Sequence, residues 1–359
     1  MNVNRLKMQH QINVKKCKFL LIQTAFLGDV ILTTPLIRAI KQKFPRSELH
    51  VLVIPETAML LKHNPYIDKL LVFDKRKKYK KLFTFIQTIA RLGRQQYDLA
   101  FAGTGSLTTA LLMLMSRIPR RIGFANQAFL TDRVQKDQSL HTRERYVSLL
   151  SPLVDLPENT ETEMIWSSRD AAAVDTVLKS WPTSEYRIGM APGSVWPTKR
   201  WPAEYYAELI RLLQKKNVQI FLFGGRGEHE LCENISRGSE SPVINLAGEL
   251  SLLQSAALID RLDLLVCNDS APLHLANAVN TPVFAFFGPT VKEFGFYPYR
   301  PHDRMLEIPD LYCRPCSPHG TRRCPQGHFR CMLEQKPASV ARQILNFLHN
   351  PAESNNLLH

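Results

Sequence analysis

The side chains best suited to bind an anion stand at the end of a predicted strand late in the chain. Residues 262–267 have the length and composition of a buried parallel strand, and the polar triplet 268–270 (Asn-Asp-Ser) follows it directly. A helix starts next, with Pro272 in its first turn, and leads to a second apolar strand at residues 283–287. In parallel sheets ligands bind at this end of the strands, against the unpaired N–H groups of the following helix. The pattern therefore predicts an anion site that suits a diphosphate.

A second polar loop, residues 191–202, lies between a predicted strand and a predicted helix. Gly193 lets a ligand approach the backbone, Ser194 offers a hydroxyl and Lys199 offers a compact cation for a phosphate. An equal alternative is a loop held by its prolines, in which the two tryptophans pack against the edge of the sheet. The loop alone does not decide between these interpretations.

The composition is that of a globular protein that folds in water. The chain has 359 residues, of which 45% are hydrophobic and 22% charged, and this length suits two domains. No apolar run reaches the ~18–20 residues that span a bilayer, and the polar, basic residues 1–18 lack the hydrophobic core of a signal peptide. We therefore expect a cytoplasmic protein, in which the seven cysteines favour thiols or a metal over disulfides.

The net charge of +14 is concentrated in one half of the chain. Residues 1–160 contain 26 Lys and Arg against 11 Asp and Glu, whereas the remaining residues contain 20 against 21. The densest basic run is residues 75–81, which includes Lys77, Lys78 and Lys81. Such a face suits nucleic acid, an anionic membrane surface or an acidic acceptor, and a solvated lysine-rich face is the alternative for any single lysine.

Apolar strands alternate with amphipathic helices in both halves of the chain. The predicted strands are residues 19–22, 49–54, 70–73 and 99–102, and then 187–191, 219–223, 243–246, 262–267 and 283–287. This alternation predicts parallel sheets and an α/β fold. We expect a basic leader (1–17), a first domain (18–165), a second domain (166–350) and a tail (351–359). Two Rossmann-like domains facing each other across a cleft satisfy the pattern, but dehydrogenases share it, so the fold alone does not decide the function.

The glycine-rich turns argue against two common classes of nucleotide-binding protein. Gly28 stands alone, residues 103–105 lack a third glycine and residues 224–227 are wrongly spaced, so none matches the dinucleotide-binding fingerprint. No P-loop is present either. A nicotinamide cofactor and a nucleotide hydrolase are therefore not supported.

Three motifs occur together in a recognisable order and spacing. They are Gly28-Asp29-Val30 with Thr34-Pro35-Leu36, then Pro192-Gly193-Ser194 with Lys199-Arg200-Trp201-Pro202, and finally residues 268–276 through Phe287-Gly288-Pro289-Thr290. Together they resemble the lipopolysaccharide heptosyltransferases of glycosyltransferase family 9, over nearly the whole chain from Lys18. The cysteine-containing residues 313–332 resemble heptosyltransferase II most. This resemblance implies that the two domains form the GT-B glycosyltransferase arrangement.

The resemblance also implies a reaction and a set of site residues. The reaction is an inverting transfer of L-glycero-D-manno-heptose from ADP-heptose to the lipopolysaccharide inner core, most closely as the second heptose. Asp29 matches the catalytic base and Lys199 the phosphate-binding lysine. The residues matched to the donor nucleotide-sugar are Ser194, Glu228, Asp269, Ser270, Ala271 and His274. No cofactor is required, and Lys77, Lys78 and Lys81 of the basic domain are candidates to bind the acceptor. The turn at residues 103–106 lacks a lysine that many relatives carry, which leaves the acceptor contacts open.

The chemistry of such a transfer can be stated independently of the family. Inverting displacement of a diphosphate from an anomeric carbon needs a base for the acceptor hydroxyl and positive charge on the leaving group. Asp29 could be that base or could cap the helix that begins there. Lys199 and the N-terminus of the helix after Ser270 would supply the charge without a catalytic metal. His274, one turn into that helix, could reach the diphosphate or the heptose, or could be a satisfied structural histidine.

Four cysteines lie close together near the end of the chain. Cys313, Cys316, Cys324 and Cys331 fall within 19 residues, with two histidines between them. This set could hold a structural zinc ion, and a packed loop of free thiols or an oxidised pair are the alternatives. Catalysis by these cysteines is not expected, because no base is placed beside them.

Three hypotheses about the function differ in the molecules that the protein binds. The leading one is a cytoplasmic heptosyltransferase at the inner face of the cytoplasmic membrane, which binds ADP-heptose and the lipid A–core oligosaccharide and contacts the anionic membrane surface peripherally. A family-9 enzyme with another sugar or acceptor is the first alternative. A basic nucleic-acid-binding protein with a zinc tail is a remote one, and we expect no nucleic acid partner because no recognised binding module is present.

Overall fold

The computed structural model describes residues 17–74, 81–214, 216–239 and 242–350, with only the backbone at residue 81. The chain divides into two compact units, Met1–Ile165 and Trp166–His359. Lys77 and Lys78, two of the three predicted acceptor residues, lie outside the described residues, and so does the side chain of Lys81. Residues 1–16 of the predicted leader and the whole predicted tail also lie outside them.

The first unit is built on a six-stranded parallel sheet. Its strands are β1 (Lys18–Ile22), β2 (Glu48–Val53), β3 (Lys69–Val72), β4 (Leu99–Ala102), β5 (Arg120–Phe124) and β6 (Asp132–Val134). Its helices are α1 (Leu27–Leu32), α2 (Thr34–Lys43), α3 (Pro55–Ala58), α4 (Lys81–Gly93), α5 (Leu107–Met115) and α6 (Thr142–Ser148), with a 3₁₀ helix at Met59–Leu61. The strand order is β3-β2-β1-β4-β5-β6, which is the doubly wound Rossmann order.

The second unit repeats this architecture. Its strands are β7 (Tyr186–Ala191), β8 (Val218–Leu222), β9 (Val243–Asn245), β10 (Leu264–Asn268), β11 (Val283–Phe286) and β12 (Arg304–Leu306). Its helices are α7 (Ser168–Lys179), α8 (Ala203–Gln214), α9 (His229–Ser236), α10 (Leu252–Ile259), α11 (Ala271–Ala278), α12 (Arg330–Leu333) and α13 (Pro337–His349), with 3₁₀ helices at Pro197–Lys199, Arg226–Glu228 and Lys292–Phe294. The strand order β12-β11-β10-β7-β8-β9 is the Rossmann order again.

Each sheet is buried because its central strands are apolar on both faces. In β1 the side chains Phe19 to Ile22 are at most 1% exposed, and in β10 every residue is buried. The first strand of each unit pairs with its second and fourth strands, so the strand order reverses between β1 and β4 and between β7 and β10. Ligands bind at such a reversal, beyond the carboxyl ends of the strands. The polar motifs of the sequence follow these strand ends.

The α/β class with two Rossmann-like units is confirmed, but one predicted helix is wrong in detail. The apolar periodicity of residues 28–44 predicts a single helix from Gly28 to Phe44, whereas the chain breaks at Thr33 into α1 and α2. The break has a physical cause, because Pro35 has no N–H to donate to the carbonyl of Ile31. The hydroxyl of Thr34 donates to that carbonyl instead, over 2.8 Å.

Among the described residues, none of the helices combines the length and the apolar character that crossing a bilayer requires.

Candidate functional site

An ion pair stands where β10 meets α11 in the second unit. The ammonium of Lys199 lies 2.6 Å from Asp269 Oδ2, and the two side chains are 13% and 7% exposed. The hydroxyl of Thr290 donates to the same carboxylate oxygen over 2.6 Å. Because an ammonium has three N–H donors, its bond to Asp269 leaves donors for a ligand phosphate. Asp269 thus orients Lys199 at the edge of the sheet.

The loop that carries Lys199 is held by one buried amide, that of Asn268 at the end of β10. Its Nδ2 donates to the carbonyl of Pro192 over 2.8 Å and to that of Gly193 over 3.2 Å. Its Oδ1 accepts the backbone N–H of Trp201 over 2.9 Å. One side chain with no exposed surface therefore fixes both ends of the loop. The position of Asn268 in the polar triplet after the strand does not reveal this structural role.

Glu228 reaches the same edge from the loop after β8. It ends the 3₁₀ helix Arg226–Glu228, and its Oε2 accepts the backbone N–H of Gly225 over 2.8 Å. The carboxylate packs on Gly193 so closely that a Cβ there would overlap Glu228 Oε1. A side chain at position 193 would therefore displace the Glu228 carboxylate from its present place. The Ser194 carbonyl accepts a hydrogen bond of 2.8 Å from Arg200 Nε.

The N-terminus of α11 lies directly after Asp269. This helix begins at Ala271 and has eight residues, and no side chain of the described part of the chain caps it. The hydroxyl of Ser270 donates instead to the carbonyl of Asn268, over 3.3 Å. The first N–H groups of the helix therefore carry an uncompensated partial positive charge beside Lys199, which favours an anion.

His274, one turn into α11, is buried and unsatisfied. It is 4% exposed, and none of the described residues hydrogen-bonds to its Nδ1. Burial, and next the charge of Lys199, lower the pKa of His274 to about 3. The ring is therefore neutral near pH 7 and can accept or donate one hydrogen bond to a ligand, depending on its tautomer. The expected alternative of a satisfied structural histidine does not describe this environment.

The buried His274 predicts an acid-sensitive contribution to stability. Its folded pKa of about 3 lies below the ordinary value near 6.5, so between these values only the unfolded chain binds the proton. The free energy of unfolding should therefore fall as the pH drops from 6.5 towards 3. We expect His274→Gln to lose this part of the pH dependence, measured as urea midpoints at pH 7 and pH 5. An equal change of the urea midpoint with pH in wild type and variant would contradict this prediction.

Asp29 lies at the corresponding edge of the first unit, in the first turn of α1. The cap position of this helix is Phe26, so the alternative role of Asp29 as the helix cap is wrong. The hydroxyl of Tyr146, in α6, instead donates to Asp29 Oδ1 over 2.9 Å. Burial, and next the charge of Asp29, raise the pKa of Tyr146 well above its usual value. The phenol therefore stays protonated and orients the carboxylate.

Further polar contacts tie Asp29 to the end of β4. Gln23, directly after β1, donates from Nε2 to Thr33 Oγ1 over 2.8 Å, and Thr33 donates to the Asp29 carbonyl over 2.6 Å. Thr104, directly after Gly103, donates to Gln23 Oε1 over 2.7 Å. The two loops at the strand-order reversal are thus one hydrogen-bonded network around Asp29.

Lys136 is a cation within electrostatic reach of Asp29. Burial and the charge of Arg145 lower the pKa of Lys136, while the charge of Asp29 acts to raise it. Arg145 is itself buried and donates to the carbonyls of Asp137 and Gln138, which shapes the loop that carries Lys136. Neither Lys136 nor Tyr146 has a local sequence signal, since both meet Asp29 only through the fold.

The described structure does not group the four clustered cysteines closely enough to hold a metal ion. All are free thiols, and no three His, Cys, Asp or Glu residues of the described chain are grouped to hold a metal ion. The Cys316 thiol donates to the Cys313 carbonyl over 3.0 Å. Burial raises the pKa of Cys316 and, to about 11, that of Cys331, so both are protonated thiols near pH 7. The segment is a packed loop of free thiols, which is one of the alternatives to a zinc site.

The structure thus assembles most of the predicted residues at two sheet edges. In the second unit Ser194, Lys199, Glu228, Asp269, Ser270, Ala271 and His274 lie at the carboxyl ends of β7, β8 and β10. In the first unit Asp29 lies at the carboxyl end of β1. Each edge has a distinct chemistry: the first presents the Asp29 carboxylate, and the second presents the Lys199–Asp269 pair beside the uncapped N-terminus of α11.

The chain is similar in sequence and in fold to known proteins. The model of glycosyltransferase family 9 (heptosyltransferase) matches residues 86–325. Lipooligosaccharide heptosyltransferase 2 of Haemophilus ducreyi is 30% identical over 292 residues, which are 76% of this chain and 84% of that protein.

Two solved structures superpose on nearly the whole chain. That of Escherichia coli ADP-heptose LPS heptosyltransferase II has a TM-score of 0.76 and 24% identity, covering 93% of this chain and 99% of the other. That of the family 9 glycosyltransferase from Veillonella parvula has a TM-score of 0.81 and 22% identity, covering 94% and 99%. The resemblance and the GT-B fold class expected from the sequence are confirmed. Because the family model matches more than half of the residues of this chain, the chain belongs to glycosyltransferase family 9, the heptosyltransferases.

Proposed function

We propose that the protein transfers L-glycero-D-manno-heptose from ADP-heptose, with inversion, to the inner core of lipopolysaccharide, most closely as the second heptose. The observation that carries this proposal is the Lys199–Asp269 pair beside the uncapped N-terminus of α11. This arrangement offers the remaining ammonium donors of Lys199 and the free N–H groups of the helix to a leaving diphosphate. Relatives named heptosyltransferase 2, from Haemophilus ducreyi and others, support the acceptor class.

The second unit binds the donor in this proposal. The diphosphate of ADP-heptose lies against the Lys199 ammonium and the first N–H groups of α11. The unsatisfied Nδ1 of His274 gains its hydrogen bond from the donor. Glu228, placed beside Gly193, accepts hydrogen bonds from ribose hydroxyls. Asp269 acts through Lys199, which it holds in position.

The first unit binds the acceptor and supplies the base. Asp29 takes the proton of the acceptor hydroxyl as the hydroxyl oxygen bonds to the anomeric carbon, and the bond from that carbon to the diphosphate breaks. Both bonding electrons leave with ADP, whose negative charge Lys199 and α11 stabilise. Tyr146 keeps the carboxylate oriented through its 2.9 Å hydrogen bond.

The choice among acceptors with different numbers of heptoses tests this proposal. Purified protein is incubated with ADP-heptose and with core acceptors that carry no, one or two heptoses, and the products are weighed by mass spectrometry. We expect one heptose to be added to the acceptor that carries one. Competing nucleotide-sugars in the same mixture test the donor, and the incorporation of another sugar, or no incorporation, would refute the proposed donor.

We also propose that the enzyme contacts the anionic membrane surface through α4. This helix contains no acidic residue, follows the basic run 75–81 in the sequence, and exposes Leu82, Phe83 and Ile86 by 72%, 59% and 53%. Its opposite face packs into the core through Leu92. An exposed apolar face next to basic residues suits an anionic bilayer, which is where a lipid-anchored acceptor resides.

Replacement of Phe83 by Glu should weaken this contact. We expect about tenfold less partitioning to phosphatidylglycerol-containing vesicles, because one aromatic side chain no longer enters the interface. Sedimentation with vesicles measures it, and Leu156→Glu, at an exposed apolar residue elsewhere in the unit, is the control. Transfer to a soluble, delipidated acceptor should not change. Equal partitioning of both variants would exclude α4 as the contact.

A further inference from the structure

The residues 311–333, here called the cysteine segment, have no part in the chemistry proposed above. The segment follows β12 and contains one short helix, α12, at its end. Its packing is nevertheless specific, since it reaches two loops at the carboxyl edge of the sheet in the second unit. These contacts suggest what it does.

The first contact is with the loop that carries Lys199. Thr198 donates its hydroxyl to the carbonyl of Thr321 over 2.9 Å and accepts the N–H of Thr321 over 2.8 Å. The backbone N–H of Thr198 also points to the Thr321 carbonyl, at 3.3 Å. Beside this pair, Gly320 lies so close that a Cβ on it would stand 3.1 Å from Lys199 Cγ. The segment therefore touches the stem of the Lys199 side chain.

The second contact is with the turn after β11. The N–H of Cys316 donates to the carbonyl of Pro289 over 3.0 Å, and Arg314 donates to the carbonyl of Thr290 over 2.8 Å. Arg314 is also paired with Glu307 at 2.6 Å, so its guanidinium is fixed from both sides. At the far end of the segment, Cys331 packs on Gly288.

These two loops meet at one carboxylate. Lys199 approaches Asp269 Oδ2 from the first loop and Thr290 approaches the same oxygen from the second, each at 2.6 Å. A lysine side chain has a flexible stem, and each of its rotamers would place the ammonium differently. The cysteine segment contacts both loops, beside the stem of Lys199 and at the carbonyl of Thr290.

We infer that the cysteine segment is a brace that positions the Lys199 ammonium for the donor diphosphate, with Thr198 as the positioning residue. The inference rests on the proposed function, because it assigns the brace to the donor site. Thr198 touches no substrate and acts through Lys199. The brace sets donor affinity and leaves acceptor binding unaffected.

Two pairs of variants test the brace by calorimetric titration with ADP. Thr198→Val removes the hydroxyl that joins the segments, and Thr198→Ser keeps it. Gly320→Ala sets a methyl against the Lys199 stem at a φ of +88°, and Gly327→Ala has similar backbone strain, at +72°, with no atom within 4 Å of the new methyl. Thr281→Val, at a buried threonine that donates to the carbonyl of Ile259 over 2.7 Å, controls for the loss of a buried hydroxyl.

We expect Thr198→Val and Gly320→Ala to bind ADP about tenfold more weakly, and the other three variants to stay within about twofold of wild type. The KM for the donor should rise in the same two variants while that for the acceptor is unchanged. Wild-type ADP affinity in both would overturn the inference. If Thr198→Val does not fold, the ADP affinities of Gly320→Ala and Gly327→Ala are compared, and this comparison alone tests the inference. A wild-type protein that does not bind ADP overturns the proposed function itself, which separates the two failures.

Discussion

Replacement of Asp29 by Asn is expected to reduce turnover by about 10³-fold or more while ADP-heptose affinity stays within a few-fold of wild type. Asparagine has the same shape and can still accept the hydrogen bond from Tyr146, but it cannot take a proton from the acceptor hydroxyl. The release of ADP under saturating substrates measures the turnover, and calorimetry measures the affinity. Loss of kcat without loss of binding is the mark of a base.

A matched carboxylate is available as the control. Asp98 accepts the backbone N–H of Lys18 over 2.7 Å at the amino end of β1, which is the opposite edge of the same sheet. Asp98→Asn should therefore keep full turnover, even if its stability falls. An Asp29→Asn variant that retains most of its turnover would show that Asp29 only organises the loops around it.

Replacement of Lys199 by Ala should lower kcat/KM by about 10²–10³-fold, through weaker donor binding and slower transfer together. Two effects add here. The cation that stabilises the leaving diphosphate is lost, and Asp269, which is 7% exposed, is left near the incoming phosphates without its partner. Steady-state kinetics with varied ADP-heptose measures both parameters.

A second substitution separates these two effects. Asp269→Asn in the Lys199→Ala background removes the uncompensated charge, so the double variant should recover part of the donor affinity but none of the catalytic rate. Lys179→Ala, at the end of α7, is the control for the loss of a lysine elsewhere. Near-normal kcat/KM in Lys199→Ala would place this residue outside the donor site.

The architecture could be predicted because it depends on local patterns. Apolar strands alternate with helices, and both units show the predicted parallel sheets. Short or half-exposed elements escaped prediction: β6 and β12 have three residues each, and α6 is a short polar helix. The break between α1 and α2 was missed because proline is tolerated in a first turn, so Pro35 indicates a new helix as readily as a continuing one.

The site residues that come directly after a strand could be predicted from the sequence, and their partners could not. Asp269, Ser270 and Ala271 could be located because they come directly after β10. The partners that orient the key side chains could not be found this way. Tyr146 is 117 residues from Asp29 in sequence, and the role of Asn268 depends on a loop 75 residues before it. The cysteines illustrate the reverse case, since their spacing left a metal site open, whereas the described structure packs their segment against two loops and groups no metal ligands.

The most direct test is mass spectrometry and NMR of one product, made from ADP-heptose and a core acceptor that carries a single heptose, with wild type and Asp29→Asn in parallel. The account predicts that the wild-type protein adds one heptose with the anomeric configuration opposite to that of the donor, and that the variant adds none. An acceptor of unchanged mass with the wild type, a product of retained configuration, or equal product from the variant would contradict it.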